Sequence, residues 1–346
     1  MNATTYGMDI AKNVFQLHWI DPASGEIHRK KLTRVKVSEF FAQREPARVV
    51  IEACGGAHYW ARTLSALGHQ VELLPPHQVR AFVTGNKDGA ADARGIWLAA
   101  QHADIHRVDI KSAQHQAQLA THRVRSHWVS IRTATINMVR GLLYEFGVVL
   151  PKGKNVALRW LAEQRSQVDA LLPTSMQQLL DAQLQALREV DLHIVEADRQ
   201  IAASIDPNAT RLQRTPGIGP LGATALSATL GDGSSWHNGR EFACCLGLTP
   251  RHTGTGGKVH MGGITKRGDA YLRTLLIHGA RNLVRVPNPP DWIAKLLQRR
   301  PINVVVVAVA HQLARIAWAL VAHGRSYNPQ WKSTPPIARR EVTMAD

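Results

Sequence analysis

The sequence predicts a mixed α/β domain at the N-terminus, then a pair of long helices and a mostly helical C-terminal domain. In the first hundred residues, short segments rich in β-branched and aromatic residues alternate with helical segments. Between residues 112 and 201, apolar residues recur at helical spacing along two long stretches. After residue 211, glycine-rich loops separate further apolar helices. A chain of 346 residues is long enough for this many domains.

The first domain, residues 1–110, is predicted to open with three strands joined by tight turns. These are Thr5–Ile10, Val14–Ile20 and Ile27–Leu32, with the turn Asp21–Gly25 before the third. Helices and strands then alternate: helix Val37–Gln43, strand Arg48–Ile51, helix Ala57–Leu67 and strand Val71–Leu74. This order is typical of a mixed sheet flanked by helices, as in a ribonuclease-H-like domain.

Two long helices are predicted within a spacer that spans residues 111–205. The first, Ser112–Phe146, has no acidic residue between Lys111 and Tyr144, whereas the second, about Ser175–Ile201, is acidic and mixed in sign. Helices of opposite character favour a hairpin or coiled coil, which would act as a spacer or a dimerisation arm. Three arginines of the basic helix are candidates for contact with backbone phosphates: Arg123, Arg125 and Arg132.

Residues 206–325 are predicted to form a compact helical domain, and the proline-containing segment 326–346 a flexible tail. Within the domain, Pro216-Gly-Ile-Gly219 before an apolar helix is typical of a helix-hairpin-helix turn. Gly217 and Gly219 allow the backbone to approach closely, and the N–H groups that follow can hold a DNA phosphate. The alternative is an ordinary Pro-Gly loop between helices.

A basic, glycine-rich loop between Leu248 and Asp269 is the second candidate for nucleic-acid contact. It has no acidic residue from Phe242 to Gly268, and its cations suit a phosphodiester backbone. Thr255 is the candidate oxygen nucleophile, since a hydroxyl can attack phosphorus once cations neutralise the phosphate. A loop that only grips nucleic acid is the alternative. The four cations are Arg251, Lys258, Lys266 and Arg267.

Four acidic residues of the first domain are candidate ligands for Mg²⁺: Asp9, Glu52, Asp88 and Asp92. Asp9 lies inside a strand and Glu52 directly after one, whereas Asp88 and Asp92 lie at the start of a predicted helix. Carboxylates from separate elements that converge on one point are what metal-dependent phosphoryl transfer requires. Asp88 alternatively serves as a helix N-cap, and Glu52 as a solvated acid at a strand end.

The charge balance indicates a polyanionic partner. The chain has 42 Lys and Arg against 26 Asp and Glu, a net charge of +16. Its three cysteines allow no disulfide framework, which predicts a cytoplasmic protein. No signal peptide is expected. The apolar run Ile302–Ala322 contains Arg315 and His311, which favours a buried helix over a membrane span, so nucleic acid is the expected polyanion.

Six motifs, taken in order and spacing between Tyr6 and Arg325, resemble one family. This is the DEDD transposase family of bacterial insertion sequences, which also includes the pilin-gene invertase Piv. The motifs are Gly7–Gln16, Glu52–Trp60, Gly85–Lys87 with Asp92–Ala93, Pro216–Gly219, Leu246–Arg251 and Lys266–Arg273.

The resemblance implies an N-terminal domain like that of the Holliday-junction resolvase RuvC, with a DEDD tetrad that binds Mg²⁺. It also implies a coiled-coil spacer and a C-terminal transposase domain with a serine nucleophile. In such enzymes the tetrad and the serine form a composite site across protomers of a tetramer. Strand exchange proceeds through a covalent protein–DNA intermediate, and a structured bridge RNA selects the donor and target DNA.

Residue by residue, Asp9 matches the first Asp of the tetrad, Glu52 the Glu and Asp92 the last Asp. The family's third member corresponds to Gly89 here, with Asp88 one residue earlier, and its Ser-Gly step aligns with Thr255-Gly256. The expected protein is therefore an RNA-guided, Mg²⁺-dependent transposase that forms a dimer to a tetramer. The alternatives are a RuvC-like nuclease that uses water, and a decayed copy that only binds nucleic acid.

Overall fold

The computed structural model describes residues 3–84 and 88–330, and its N-terminal part contains the predicted mixed sheet. Five strands lie in the order β3-β2-β1-β4-β5. The strand β1 pairs antiparallel with β2 and parallel with β4, and β5 extends the parallel side. The predicted mixed α/β fold is thereby confirmed. The strands are β1 Thr5–Ile10, β2 Val14–Ile20, β3 Ile27–Thr33, β4 Arg48–Glu52 and β5 Gln70–Leu74.

Helices cover both faces of this sheet. Two of them, α1 (Lys36–Ala42) and α2 (Ala57–Ala66), bury Phe41 and Trp60 against one face. After the short α3 (Pro76–Val79) and a 3₁₀ turn, helix α4 (Gly89–Ala100) covers the other face. Because strand side chains alternate between faces, Tyr6 and Met8 enter the first core, whereas Gly7 and Asp9 face α4.

Helix α4 lies directly on β1, and the glycine at position 7 makes this approach possible. A Cβ atom at Gly7 would lie 2.4 Å from the carbonyl oxygen of Ala93 and 2.7 Å from the Cβ of Trp97. The indole N–H of Trp97 donates to the carbonyl of Thr5 over 3.1 Å. The position of α4 over the sheet is therefore fixed by backbone contact.

The two long predicted helices are present and pack along each other. Their contact includes an ion pair between Arg125 and Asp198 at 2.5 Å, and one between Arg132 and Asp191 at 3.2 Å. Both guanidinium groups therefore hold the helix pair together. The sequence had instead suggested that these arginines contact backbone phosphates. The helices of this part are α5 Ala113–Tyr144, α6 Lys154–Glu163, α7 Arg165–Leu171 and α8 Thr174–Ala203.

The C-terminal part packs around the apolar helix α14 (Ile302–Ala322). Among the described residues, α14 is the one helix long and apolar enough to cross a membrane, but half of its apolar window is buried inside the protein. It contacts α9, α10, α11, α12 and α13, and Val309, Ala310 and Ala314 lie in the shared core. The other helices are α9 Pro207–Gln213, α10 Pro220–Leu230, α11 Gly239–Cys245, α12 Ala270–Arg285 and α13 Asp291–Leu297.

The segment predicted as a basic, glycine-rich loop is instead a β-hairpin of β6 (Pro250–Thr255) and β7 (Lys258–Ile264). Its two-residue turn consists of Gly256 and Gly257, with φ of 58° and 79°. Two successive positive φ values match the right-handed twist of the flanking strands, which explains why the chain folds back here. Of the other predicted features, the tail beyond residue 330 and the motif Gly85–Lys87 lie outside the described residues.

A buried chain of hydrogen bonds ties α5 to the C-terminal part. The Thr224 hydroxyl donates to the carbonyl of Pro220, so it accepts from Nε2–H of His122 at 3.0 Å. The other ring nitrogen, Nδ1, then accepts from the Tyr271 hydroxyl at 2.9 Å. Burial, with the charge of Arg125 adding to it, lowers the pKa of His122 to about 4. The imidazole is therefore neutral at physiological pH.

We expect Gly7→Ala to destabilise the protein by about 1–3 kcal/mol, because its Cβ would meet the backbone of α4. Gly141→Ala is the matched control: its Cβ meets nothing within 4 Å, and alanine should stabilise α5 by about 1 kcal/mol. Urea unfolding of both variants measures the difference. A Gly7→Ala variant as stable as the parent protein would show that α4 can move away at no cost.

The buried His122 should make stability depend on pH. The ordinary pKa of 6.5 applies to the unfolded chain and a pKa of about 4 to the folded one. The contribution of neutral His122 to the free energy of unfolding is therefore fully present above pH 6.5, and it falls by about 2–3 kcal/mol as the pH drops from 6.5 to 4. Unfolding at pH 7.5 and 4.5 should show a smaller pH dependence for His122→Gln, but an unchanged one for Thr133→Ala on the exposed face.

Candidate functional site

The first candidate site is an acidic edge of the sheet. Met8 and Ile51 are partners in the parallel pair of β1 and β4, so the next residues, Asp9 and Glu52, lie side by side at the carboxyl ends of both strands. Asp9 lies on the same face of the sheet as Gly7, and Glu52 lies on the same face as Val50. Both pairs lie on the face that α4 covers. The structure thus brings the two predicted acids to one place.

Cys54, in the turn after β4, lies near both carboxylates. Burial raises the pKa of this thiol, and the negative charges of Glu52 and Asp9 raise it further. Since a charge must be near a group to shift its titration, both acids lie near the turn that follows β4.

The first turn of α4 completes this edge. Asp88 is the N-cap of α4, and its side chain accepts from the backbone N–H of Ala90 at 3.4 Å. The sequence allowed Asp88 to be a metal ligand or a helix cap, and in the structure its side chain caps α4. A Cβ at Gly89 would lie 3.1 Å from Oδ2 of Asp9. Asp92 lies one turn further, and its N–H donates to the carbonyl of Asp88 at 2.8 Å.

Gln16 is a residue of this site that the sequence analysis did not single out. It is the cross-strand partner of Asp9, and its Cγ would lie 3.0 Å from a Cβ at Gly89. Its amide is therefore part of the surroundings of Asp9. Strand pairing provides the signal, because Asp9 and Gln16 are placed opposite each other once the first turn is known.

The residue types at the acidic edge suit Mg²⁺, which binds a few carboxylates together with phosphate oxygens. Asp9 and Glu52 supply two carboxylates on one face, with Asp92 on the neighbouring helix. Among residues 3–84 and 88–330, however, no three His, Cys, Asp or Glu side chains converge closely enough to hold a metal ion. Position 89, where the resemblance implies a carboxylate, faces Asp9 but carries none.

The second candidate site is the hairpin β6–β7. Thr255 is the last residue before its turn, opposite Lys258, and every residue from Pro250 to Gly263 is exposed. Arg251 and Lys258 project from this hairpin, and Lys266 and Arg267 follow it. These strands pair with each other and with neither β1 nor β4, so sheet pairing does not bring Thr255 to the acidic edge.

The base of the hairpin is packed tightly, in contrast to its tip. A Cβ at Gly268 would lie 1.8 Å from the carbonyl oxygen of Cys245, and one at Gly247 would lie 2.3 Å from that of Arg267. A two-stranded hairpin alone is marginally stable in water. The hairpin is therefore an arm anchored at its base, with cations and a hydroxyl along its exposed part.

The segment between α9 and α10 is the third candidate. Gly217 has φ of 86°, and a Cβ at Gly279 on α12 would lie 1.8 Å from the carbonyl oxygen of Gly217. Gly219 caps α10 with open space around it, so the N–H groups of that helix start are accessible. The geometry is compatible with phosphate contact, and the helix-hairpin-helix assignment stays a prediction.

A nuclease-like mixed sheet with acids at its strand ends, joined to a basic helical half, defines a class of DNA-processing enzymes. Sequence comparisons identify the family within it. Residues 6–147 match the DEDD transposases of the IS110 type, and residues 209–296 match the Transposase IS116/IS110/IS902 family.

Relatives match over nearly the whole chain. A probable family 20 transposase of Pseudomonas aeruginosa is 45% identical over 337 residues, 95% of this chain and 100% of the relative. The transposase for insertion sequence element IS1328 of Yersinia enterocolitica is 36% identical over 334 residues, 94% of this chain and 99% of the relative. The pilin gene-inverting protein of Moraxella bovis is 26% identical over 145 residues, 39% of this chain and 45% of that protein.

The chain therefore belongs to the IS110 family of transposases, which confirms the resemblance identified from its motifs. It is a transposase, and DNA is its partner, as for enzymes of this class.

Position 89 allows a test of the acidic edge that does not need activity. Without metal, Gly89→Asp should lower the melting temperature more than the neutral Gly89→Asn, because its carboxylate would face Asp9. Added Mg²⁺ should stabilise Gly89→Asp more than the parent protein. At a Mg²⁺ concentration ten times the dissociation constant of this variant, its free energy of unfolding should rise by about 1.4 kcal/mol. Thermal unfolding in EDTA and in MgCl₂ measures both effects. Equal responses of the Asp and Asn variants would show that position 89 does not face a metal site.

Proposed function

We propose that this chain is the transposase of a bacterial insertion sequence and that it cuts and rejoins DNA in the bacterial cytoplasm, with Mg²⁺ and a bridge RNA. The proximity of Asp9 and Glu52 at the strand ends, with the first turn of α4 against Asp9, is the observation that carries the proposal. Three domains share the work: residues 1–110 hold the acidic edge, 111–205 form the helical spacer, and 206–325 hold the hairpin and the α9–α10 turn.

Asp9 and Glu52 would hold the metal ion together with phosphate oxygens of the DNA, with Asp92 on the neighbouring helix as a further candidate ligand. Asp88 keeps its role as helix cap. When bound, Mg²⁺ supplies positive charge that stabilises the reacting phosphate. The first turn of α4 faces the same place, and helix N-termini favour negative charge. A DNA phosphate would therefore be attracted to this edge by both the bound cation and the helix N-terminus.

Thr255 would be the nucleophile. Its hydroxyl gives up a proton and forms an ester bond to a DNA phosphorus, while one DNA strand leaves with a free hydroxyl at the broken bond. Lys258 lies opposite it and Arg251 lies nearer the base of the same hairpin, and these cations would neutralise the phosphate. Further DNA contacts are assigned to Lys266, Arg267, Gly217 and Gly219. The methyl group of threonine restricts χ1, so serine should be at least as active here.

Assembly of copies would bring the two chemical centres together. The hairpin with Thr255 forms its own sheet, apart from the sheet with Asp9. A dimer or tetramer in which the arm of one protomer reaches the acidic edge of another would join them. Bridge-RNA guidance rests on membership of the family and on the charge of +16.

A decayed copy is the second candidate, and two substitutions favour it. Gly89 lacks the carboxylate that the resemblance implies beside Asp9, and Thr255 stands in place of serine. Such a chain would bind DNA and RNA without joining strands. A nuclease that uses water in place of Thr255 would also be compatible with the exposed position of that residue.

Incubation with cognate element ends, followed by denaturing electrophoresis, tests the nucleophile. We expect protein-linked DNA with the parent chain, a loss of at least about 100-fold with Thr255→Ala, and retention with Thr255→Ser. Thr253→Ala, on the same exposed strand, is the matched control, and Asp9→Asn should abolish cleavage. Cleavage that survives Thr255→Ala, without protein-linked DNA from the parent chain, would identify the nuclease instead.

Strand exchange with the cognate ends and RNA tests decay. An active parent chain supports the proposal. If the parent chain binds DNA but exchanges no strands, while the double variant Gly89→Asp with Thr255→Ser does, the chain is a decayed copy.

A further inference from the structure

A cleft of about 500 Å³ lies where the N-terminal domain, the long helix α5 and the C-terminal domain meet. His58 comes from the first domain, Lys111 from the segment that joins this domain to α5, Arg123 and Ser126 from α5, and Tyr271 from α12. Neither the acidic edge nor the exposed hairpin includes any of these residues. The cleft is therefore a separate feature of the molecule.

Lys111 places a partly buried positive charge in this cleft. Its backbone is fixed, because its N–H donates to Nδ1 of His58 at 3.2 Å and its carbonyl accepts from Arg62 at 2.6 Å. Among the described residues, no carboxylate lies within ion-pair distance of its ammonium group. A buried cation without a partner is costly, so an anion at this position would be favourable.

Arg123 adds a second cation from the neighbouring helix. Unlike Arg125 and Arg132, it belongs to no ion pair among the described residues, and its side chain is exposed along the cleft. Burial lowers the pKa of Lys111; Asp109 and Asp269 oppose that shift, and the charge of Arg123 adds to it. The two cations are thus close enough to repel each other.

The carboxylate that lines the cleft, that of Asp269, already accepts hydrogen bonds from the backbone. Asp269 is the N-cap of α12 and accepts from the backbone N–H groups of Tyr271 at 2.8 Å and Leu272 at 3.0 Å. Asp109, just behind Lys111, accepts from the Ser235 hydroxyl. Neither carboxylate forms an ion pair that neutralises Lys111 or Arg123.

The neutral groups of the cleft add donors. Nδ1 of His58 accepts from the Lys111 backbone, so the proton of the neutral ring lies on Nε2. Burial lowers the pKa of His58 to about 4, with Lys111 and Arg62 acting in the same direction, so the ring stays neutral. The side chains of Ser126, Ser130 and Gln116 also line the cleft.

Two unpaired cations with surrounding donors match the tetrahedral, anionic phosphate of a nucleic-acid backbone. We propose that this cleft binds a backbone phosphate through Lys111 and Arg123, and that nucleic acid thereby holds the N-terminal domain against α5 and the C-terminal domain. The inference rests on the proposed function, in that it takes nucleic acid as the ligand. DNA and the guide RNA carry the same phosphate.

Binding of a fluorescein-labelled DNA duplex and of a labelled RNA hairpin to the full chain, measured over a range of salt concentrations, tests this cleft. Lys111→Gln and Arg123→Gln should each weaken binding about 5- to 10-fold and lower the salt slope by about one. Lys111→Arg should retain most of the affinity. Arg159→Gln, an exposed arginine on α6 outside the cleft, is the control for loss of charge.

The outcomes separate the two proposals. A parent chain that binds neither probe overturns the proposed function. Binding by the parent chain with unchanged affinity and slope for Lys111→Gln overturns the cleft alone, even if Arg123→Gln binds more weakly. Equal losses for Lys111→Gln and Arg159→Gln also overturn it. The probe whose binding is reduced identifies the source of the phosphate, and thermal unfolding verifies that each variant is folded.

Discussion

The contact between helix α4 and strand β1 is the constraint on which the rest of the N-terminal domain depends. With no side chain at Gly7, the carbonyl of Ala93 and the Cβ of Trp97 approach the strand to distances that a Cβ would prohibit. Because α4 is a rigid helix, this approach also determines where its first turn lies. Gly89 lies on the same face of α4 as Trp97, two turns earlier, and is thereby placed against Asp9. A residue chosen for packing thus sets the geometry of the acidic edge.

The sequence predicted the N-terminal fold well, because local signals dominate there. The strand Thr5–Ile10 has the bounds that alternation and turn residues indicated, and α2 ends one residue before the predicted position. The proximity of Asp9 and Glu52 depends on the parallel pairing of β1 with β4, which places the end of β4 beside Asp9. The cap role of Asp88 could not be decided from sequence, because a cap and a metal ligand use the same residue types at a helix start.

The remaining features depend on partners far along the chain. Arg132 meets Asp191 only because two helices fold back on each other, and no local pattern encodes that contact. The hairpin does have a local signal, because Gly256 and Gly257 form a two-residue turn between its strands, but a basic, glycine-rich segment also predicts a loop. The excess charge of the basic helix was likewise taken as available to a ligand, whereas part of it neutralises α8. Arg123 on this helix and Lys111 just before it form no ion pair among the described residues.

The glycine at position 89 has a consequence for the order of binding at the acidic edge. A carboxylate there would add a third negative charge beside Asp9 and Glu52, which costs stability in the empty protein and increases affinity for a cation. Without it, the carboxylates of the edge repel each other less, and a metal ion would be held less tightly there. Mg²⁺ readily shares its coordination between protein carboxylates and substrate phosphate. A DNA phosphate, attracted by the first turn of α4, would then complete the ligand set, so metal and DNA should bind cooperatively, each raising the affinity for the other.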